Sequence, residues 1–184
     1  LGEFIGLLSL PLAAFVGALV SMLLVLAIAS HGGRLESDRL LLAGVAVSFV
    51  MMAASNLLLF LGDHHAASSV IFWMLGGLGL ARWELLWLPA LCLALALLLL
   101  LGLARALNAL MAGEHSAVSL GLEPRRVRLL VFVCASLLTG VLVSLSGAIG
   151  FVGLILPHVA RFLVGAAHRR LLPVSALLGA LLLV

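Results

Sequence analysis

The chain has 184 residues, 65% of them hydrophobic and 9% charged, with a mean hydropathy of +1.39; this excludes a soluble globular domain and a disordered segment and points to an integral membrane protein in contact with the lipid bilayer. Its formal charge of +3 rests on arginine, since lysine is absent. Arginines at the ends of apolar runs report membrane topology, and no nucleic-acid partner is expected.

A membrane crossing needs about 20 apolar residues, and the expected spans, in chain order, are 4–29, 39–61, 85–104, 127–145, a shorter one at 149–164 and one at 171–184 that runs to the last residue. The expected fold is an all-α polytopic membrane protein forming one domain over residues 1–184, with about five spanning helices and a truncated sixth. Leu1 is not a methionine and Leu181 to Val184 lies inside an apolar run, so the chain is expected to be an internal fragment of a longer protein. In the first span Ala13, Gly17 and Ser21 lie four apart, and in the second Gly44 and Ser48 do so. In the fourth span and just beyond it, Ser136, Gly140, Ser144 and Ala148 continue the same spacing. Such small-residue stripes let helix backbones approach closely. Cys92 and Cys134 sit in apolar runs and read as small buried hydrophobes, not a disulfide.

The connections alternate in charge. The segment 30–39 carries Arg34 and Arg39, the segment 105–128 carries Arg105, Arg125, Arg126 and Arg128, and the turn after the fifth span follows Arg161 and holds Arg169 and Arg170. All three are expected on the cytoplasmic side, and the arginine-free connections 62–70 and 146–150 outside. Arg82 departs from this, beside the interfacial tryptophans Trp73, Trp83 and Trp87.

Three places hold residues that could carry chemistry. Between the third and fourth spans, Leu107, Leu110 and Met111 give a short apolar face and Gly113 breaks it. Glu114 then suits the N-terminus of a second short helix, Gly121 suits its C-terminal cap, and Pro124 starts the next span. Residues 105–125 therefore read as two small helices that either dock a partner or rest on lipid headgroups. The fifth span begins Gly147-Ala148-Ile149-Gly150-Phe151-Val152-Gly153 and continues to Pro157, His158 and Arg161. Pro157 frees a backbone carbonyl, so this helix should be enclosed by other helices, with Arg161 reaching the headgroups and His158 bonding the freed carbonyl. As intramembrane ionisable groups, His158 and Arg161 are also functional candidates, and a proton relay through them would make the protein an ion-coupled secondary transporter. Asp63, His64 and His65 are adjacent metal-ligand types in an outer loop, but no second cluster completes a metal site. His115 has no assigned role. The run Ser144-Leu145-Ser146-Gly147 lacks the glycine of a nucleophile elbow, and no phosphate-binding GxxxxGK[ST] occurs. Neither an enzyme nor a bound cofactor is expected.

The stretch Gly150-Phe151-Val152-Gly153-Leu154, with Pro157, His158 and Arg161 at their spacing, resembles the signature GFVGLxxPHxxR of the FecCD-type permeases, the membrane subunits of ABC importers for iron-siderophore, haem and cobalamin substrates. Further blocks match in order: Arg39-Leu40-Leu41-Leu42-Ala43-Gly44-Val45-Ala46, Phe72-Trp73-Met74-Leu75-Gly76-Gly77, Ala109 to Gly121, and His168-Arg169-Arg170-Leu171-Leu172-Pro173. The resemblance implies an all-helical subunit of about ten spans in a bacterial or archaeal inner membrane. It implies as partners a second permease subunit, an ABC ATPase subunit that hydrolyses the ATP, and an extracytoplasmic substrate-binding protein. It also implies an ATPase-coupling loop containing Asn108, Gly113, Glu114, Ser116, Ala117, Leu120 and Gly121. The loop holding Ser37, Asp38 and Arg39, with Gly44 and Ser48 on the helix that follows, would border the pathway and its cytoplasmic gate. Residues 72–80 would form a half-helix and turn near the outer mouth, and Gly147, Gly150, Gly153, Pro157, His158 and Arg161 would pack the fifth span.

Overall fold

The computed structural model describes residues 2–30, 37–62, 64–79 and 83–183. Among these the secondary structure is helical: α1 (Gly2–Ala29), α2 (Ser37–Leu61), α3 (His64–Met74), a 3-10 turn at Trp83–Leu85, α4 (Trp87–Gly102), α5 (Ala104–Met111), α6 (Glu114–Ser119), α7 (Pro124–Ser146), α8 (Val152–Val164) and α9 (His168–Leu183). Four stretches are long and apolar enough to cross a membrane: Leu12–Ala29, Asp38–Leu61, Trp83–Gly102 and Pro124–Ser146. The expected fifth span is a shorter helix of 13 residues, which at about 1.5 Å per residue falls short of a hydrocarbon core about 30 Å thick, and the expected sixth lies in α9.

The chain forms two compact units, one of residues 1–80 with 139–148 and one of residues 81–138 with 149–184. In the first, α1 packs on α2 and the buried positions are Val25 and Ala29 on α1 and Ala43 and Val47 on α2. Each pair is four residues apart and so lies on one helix face. The stripe of Gly44 and Ser48 is one residue further round: a Cβ on Gly44 would meet nothing within 4 Å among the described residues, and the Ser48 hydroxyl donates to the Val45 carbonyl at 2.7 Å. The end of α7 packs on α1 through Gly140, where an added Cβ would stand 3.1 Å from Ala18 Cβ. Of the three small-residue stripes, the one on α7 is thus the one that brings helices together.

Two expected loops are helical. Residues 62–70 were expected as an outer connection, but Gly62 ends α2 and a helix restarts at His64. The run Ala66-Ala67-Ser68-Ser69 that follows has no proline or glycine, and alanine has the highest helix propensity. Of the half-helix and turn expected over 72–80, the helix starts earlier, at His64, and stops at Met74, after which Gly76 turns the chain. Ser37, Asp38 and Arg39 were read as loop and form the first turn of α2, where Asp38 faces the positive helix end. Asp63, and the side chains of Ser37, His64 and His65, lie outside the described residues.

In the second unit α9 lies against α8, α4 and α5. The residues that seal this packing are small or aliphatic: Ala96, Ala104, Ala106, Ala117, Leu156, Ala160 and Leu171 are all buried. Alanine at these positions allows close helix approach without side-chain ordering cost.

Candidate functional site

The connection 104–123 is built as two short helices with defined ends. Helix α4 stops at Leu103, whose carbonyl accepts from the Leu107 N–H at 2.9 Å and so begins α5 without an intervening loop. Ala104 and Ala106 are buried, while Met111 is 52% exposed. The inner face of α5 is therefore alanine, and the apolar face expected at Leu107, Leu110 and Met111 is turned partly outward. Gly113 separates the helices, and its carbonyl accepts from the Ala117 N–H at 3.1 Å to start α6.

Helix α6 ends in a Schellman motif. The Leu122 N–H reaches the Ala117 carbonyl at 3.1 Å and the Gly121 N–H reaches the Val118 carbonyl at 2.9 Å, the pairing made by a left-handed residue after the last turn. Gly121 supplies it with φ +75°. Ala117 is fully buried and pins α6 down, whereas Val118 and Leu120 are 57% and 70% exposed. Ser116 and Ser119 donate their hydroxyls to the carbonyls of Ala112 and Ser116, and Glu114 and His115 are exposed beside the apolar Val118 and Leu120.

Side-chain ties to α9 and α7 hold this element. Asn108 Oδ1 accepts from the backbone N–H of His168 at 3.1 Å and from its Nδ1 at 2.6 Å, joining α5 to the start of α9. Glu114 Oε2 accepts from Arg128 on α7 at 3.5 Å. Burial lowers the His168 pKa, and the nearby Arg161 guanidinium lowers it further. His168 precedes the apolar part of α9, which begins at Leu171. The partners Arg128 and His168 were not legible as such in the sequence: each lies far along the chain from the residue it ties.

Around Pro157 the placement differs from expectation. Pro157 lies inside α8, which starts from Phe151 in a left-handed conformation. A Cβ on Gly150 or Gly153 would meet nothing within 4 Å among the described residues, so in this chain neither is a point of close packing. His158 is exposed and sets its ring edge-on to Phe162, with ring centroids 5.1 Å apart. It was expected to bond the carbonyl that Pro157 frees. Arg161 is exposed in the last turn of α8.

Gly147 behaves oppositely. Its added Cβ would collide with the Trp73 carbonyl oxygen, and one on Gly76 would lie 2.5 Å from the Ala148 carbonyl oxygen. Both glycines have positive φ, +69° and +66°, and the Gly77 N–H donates to the Ser146 carbonyl at 2.7 Å. The turn after α3 and the turn after α7 are thus in backbone contact within the first unit, beside a cavity of about 200 Å3 lined by Phe72, Trp73, Gly76, Gly77, Gly79, Leu145 and Ser146. The hydroxyls of Ser144 and Ser146 donate to the carbonyls of Val141 and Leu142, as serines inside membrane helices commonly do.

The FecCD transport family matches residues 1–184. The chain belongs to that family. It is 41% identical over 179 residues to the Fe(3+) dicitrate transport system permease protein FecC of Escherichia coli, covering 95% of this chain and 53% of that one. It is equally 41% identical over 172 residues to the cobalamin import system permease protein BtuC of Halobacterium salinarum, covering 94% of this chain and 46% of the relative. The chain therefore spans about half the length of the curated relatives it matches. Among solved structures, an ABC transporter assigned to the metal-chelate type, in an inward-facing conformation, superposes with a TM-score of 0.83 at 32% identity, over 94% of this chain and 59% of that one. As a FecCD chain it is a membrane protein of a transport family, and the resemblance first carried by the Gly150 to Arg161 signature extends over its whole length.

Proposed function

We propose that this FecCD chain is part of the permease subunit of an ATP-binding-cassette importer, and that residues 104–121 are the element against which a separate ATPase subunit docks. The observation that carries this reading is the construction of α5 and α6. Their buried alanines fix them to the bundle, and Met111, Val118 and Leu120 are left exposed at the tip. A short amphipathic segment resting on lipid would not need a Schellman cap or two ties to other helices. By the positive-inside rule the arginines of 105–128 support a cytoplasmic place for this element, where an ATPase would be.

Membership of the family and the relatives' named cargoes support a substrate among ferric chelates, haem and corrinoids. In this reading the chain does no chemistry of its own. A second permease subunit would complete the pathway, and a binding protein outside the cytoplasm of a bacterial or archaeal cell would deliver the substrate. Ser37, Asp38, Arg39, Gly44 and Ser48 on α2 are the proposed pathway and gate positions; residues 105–125 form the coupling loop of one permease domain.

The test uses the full-length permease with its ATPase. Glu114→Arg reverses a charge at the start of α6, and Gly121→Val forces a branched residue into a left-handed backbone. Both lie outside the long apolar helices, so ATP hydrolysis and uptake should fall together while capture by the binding protein persists. Uptake that continues at the parental rate with the ATPase disabled would refute the reading in favour of a gradient-driven transporter.

A further inference from the structure

We propose that Asn108 and His168 form the joint through which α5 moves α9, so that displacement of the docking element reaches the membrane helices through this pair; the inference rests on the docking role proposed above. The first N–H groups of any helix have no partner within it. In α9 that of His168 is taken by a side chain 60 residues away, Asn108 Oδ1, which also accepts from the His168 ring. A backbone N–H can only donate, so the atom facing both donors is the amide oxygen, and the ring carries its proton on Nδ1. One oxygen held by two donors of the same residue fixes both the position and the register of α5 on α9. A slip by one turn would break both bonds and leave the helix end uncapped.

The other tie is different in kind. Glu114 and Arg128 meet at 3.5 Å with the Glu114 side chain 56% exposed, a geometry that water and salt weaken. A push on α5 is therefore passed to α9 through the shorter, doubly bonded tie. The chain between α8 and α9 is only Gly165 to Ala167, with Gly165 closing α8 by donating its N–H to the Arg161 carbonyl at 3.0 Å. A movement of the start of α9 is consequently shared with α8, the helix that carries Pro157 and His158.

Amide hydrogen exchange on the full-length permease–ATPase complex in lipid nanodiscs, with and without ATP and Mg2+, tests this without knowledge of the substrate. In the parent, nucleotide should change exchange in both 104–121 and 168–171. Asn108→Ala should keep the response at 104–121 and lose it at 168–171, where basal exchange should rise several-fold. Asn108→Asp keeps an acceptor and should restore the response. His168→Leu, which retains the backbone bond, should fall between and also serves if Asn108→Ala fails to assemble. A parental response at 168–171 in Asn108→Ala, or an Asn108→Asp variant no better than alanine, overturns the joint. Absence of any nucleotide response at 104–121 in the parent overturns the docking role itself.

Discussion

An added methyl on Gly147 would collide with the Trp73 carbonyl, while one on Gly121 would meet nothing within 4 Å among the described residues, yet both glycines have positive φ, +69° and +75°. In the first unit two turns are pressed together backbone to backbone, and glycine is required for both space and conformation. In the docking element glycine is required for conformation alone, and position is fixed by buried alanines and by polar side chains reaching from elsewhere in the chain. The first arrangement tolerates no substitution without moving a main chain. The second can be loosened by degrees, which suits an element that has to move.

The largest effect should come from the tight side of this contrast. Gly147→Ala and Gly76→Ala each combine a backbone collision with the left-handed penalty, and should destabilise the protein by about 3 kcal/mol or more. Gly153→Ala, at a helical position with open space, should leave stability unchanged or improve it by up to about 1 kcal/mol. Thermal unfolding of the full-length protein in detergent compares them. Equal losses at Gly147 and Gly153 would erase the distinction and show that something also packs closely on α8.

The contrast follows the divide between what the residues announced and what they did not. The long helices, the start of α7 at Pro124, the break at Gly113 and the cap at Gly121 are local properties of apolar length, proline and glycine, and each was legible. The Gly76 to Gly147 contact joins turns about seventy residues apart in the chain, and nothing in either turn names the other. Gly150 and Gly153 look the same as Gly147 in sequence, but among the described residues only the last meets another backbone. Likewise Leu107, Leu110 and Met111 stood out as a face, whereas the burial is done by Ala104, Ala106 and Ala117, whose small side chains carry little signal. Asn108 and Glu114 were singled out, but their partners His168 and Arg128 depend on how α9 and α7 return to the same place.

On the looser side, Gly121→Ala should cost about 1–2 kcal/mol, the left-handed penalty without a clash. The same unfolding assay should place it between Gly153→Ala and Gly147→Ala; a cost matching Gly147→Ala would reveal a crowded cap. Smaller still is the effect of Glu114→Gln. The pair with Arg128 is partly exposed, so its loss should cost less than about 1 kcal/mol and the difference should shrink in high salt. A large, salt-independent loss would show that this tie is as firm as the Asn108 one.

The smallest predicted effect is a dependence on pH, and its sign follows from His168. Burial and then the Arg161 charge lower its pKa from the usual 6.5, so the folded protein disfavours the protonated ring that the unfolded chain accepts. Above 6.5 the ring is neutral in both states and contributes no pH dependence. As pH falls through that value the unfolded chain binds the proton first, and stability declines until the lowered folded value is passed, below which the loss is complete. His168→Gln should remove this decline. Arg161→Gln should only reduce it, because burial is the larger cause and persists. Protonation leaves the Nδ1–H free to donate to Asn108, so the joint should survive in acid with lower stability and intact register. Unfolding midpoints between about pH 5 and pH 8 measure the slope; a parental protein that became more stable on acidification would reverse the sign and place a carboxylate, not an arginine, beside the ring.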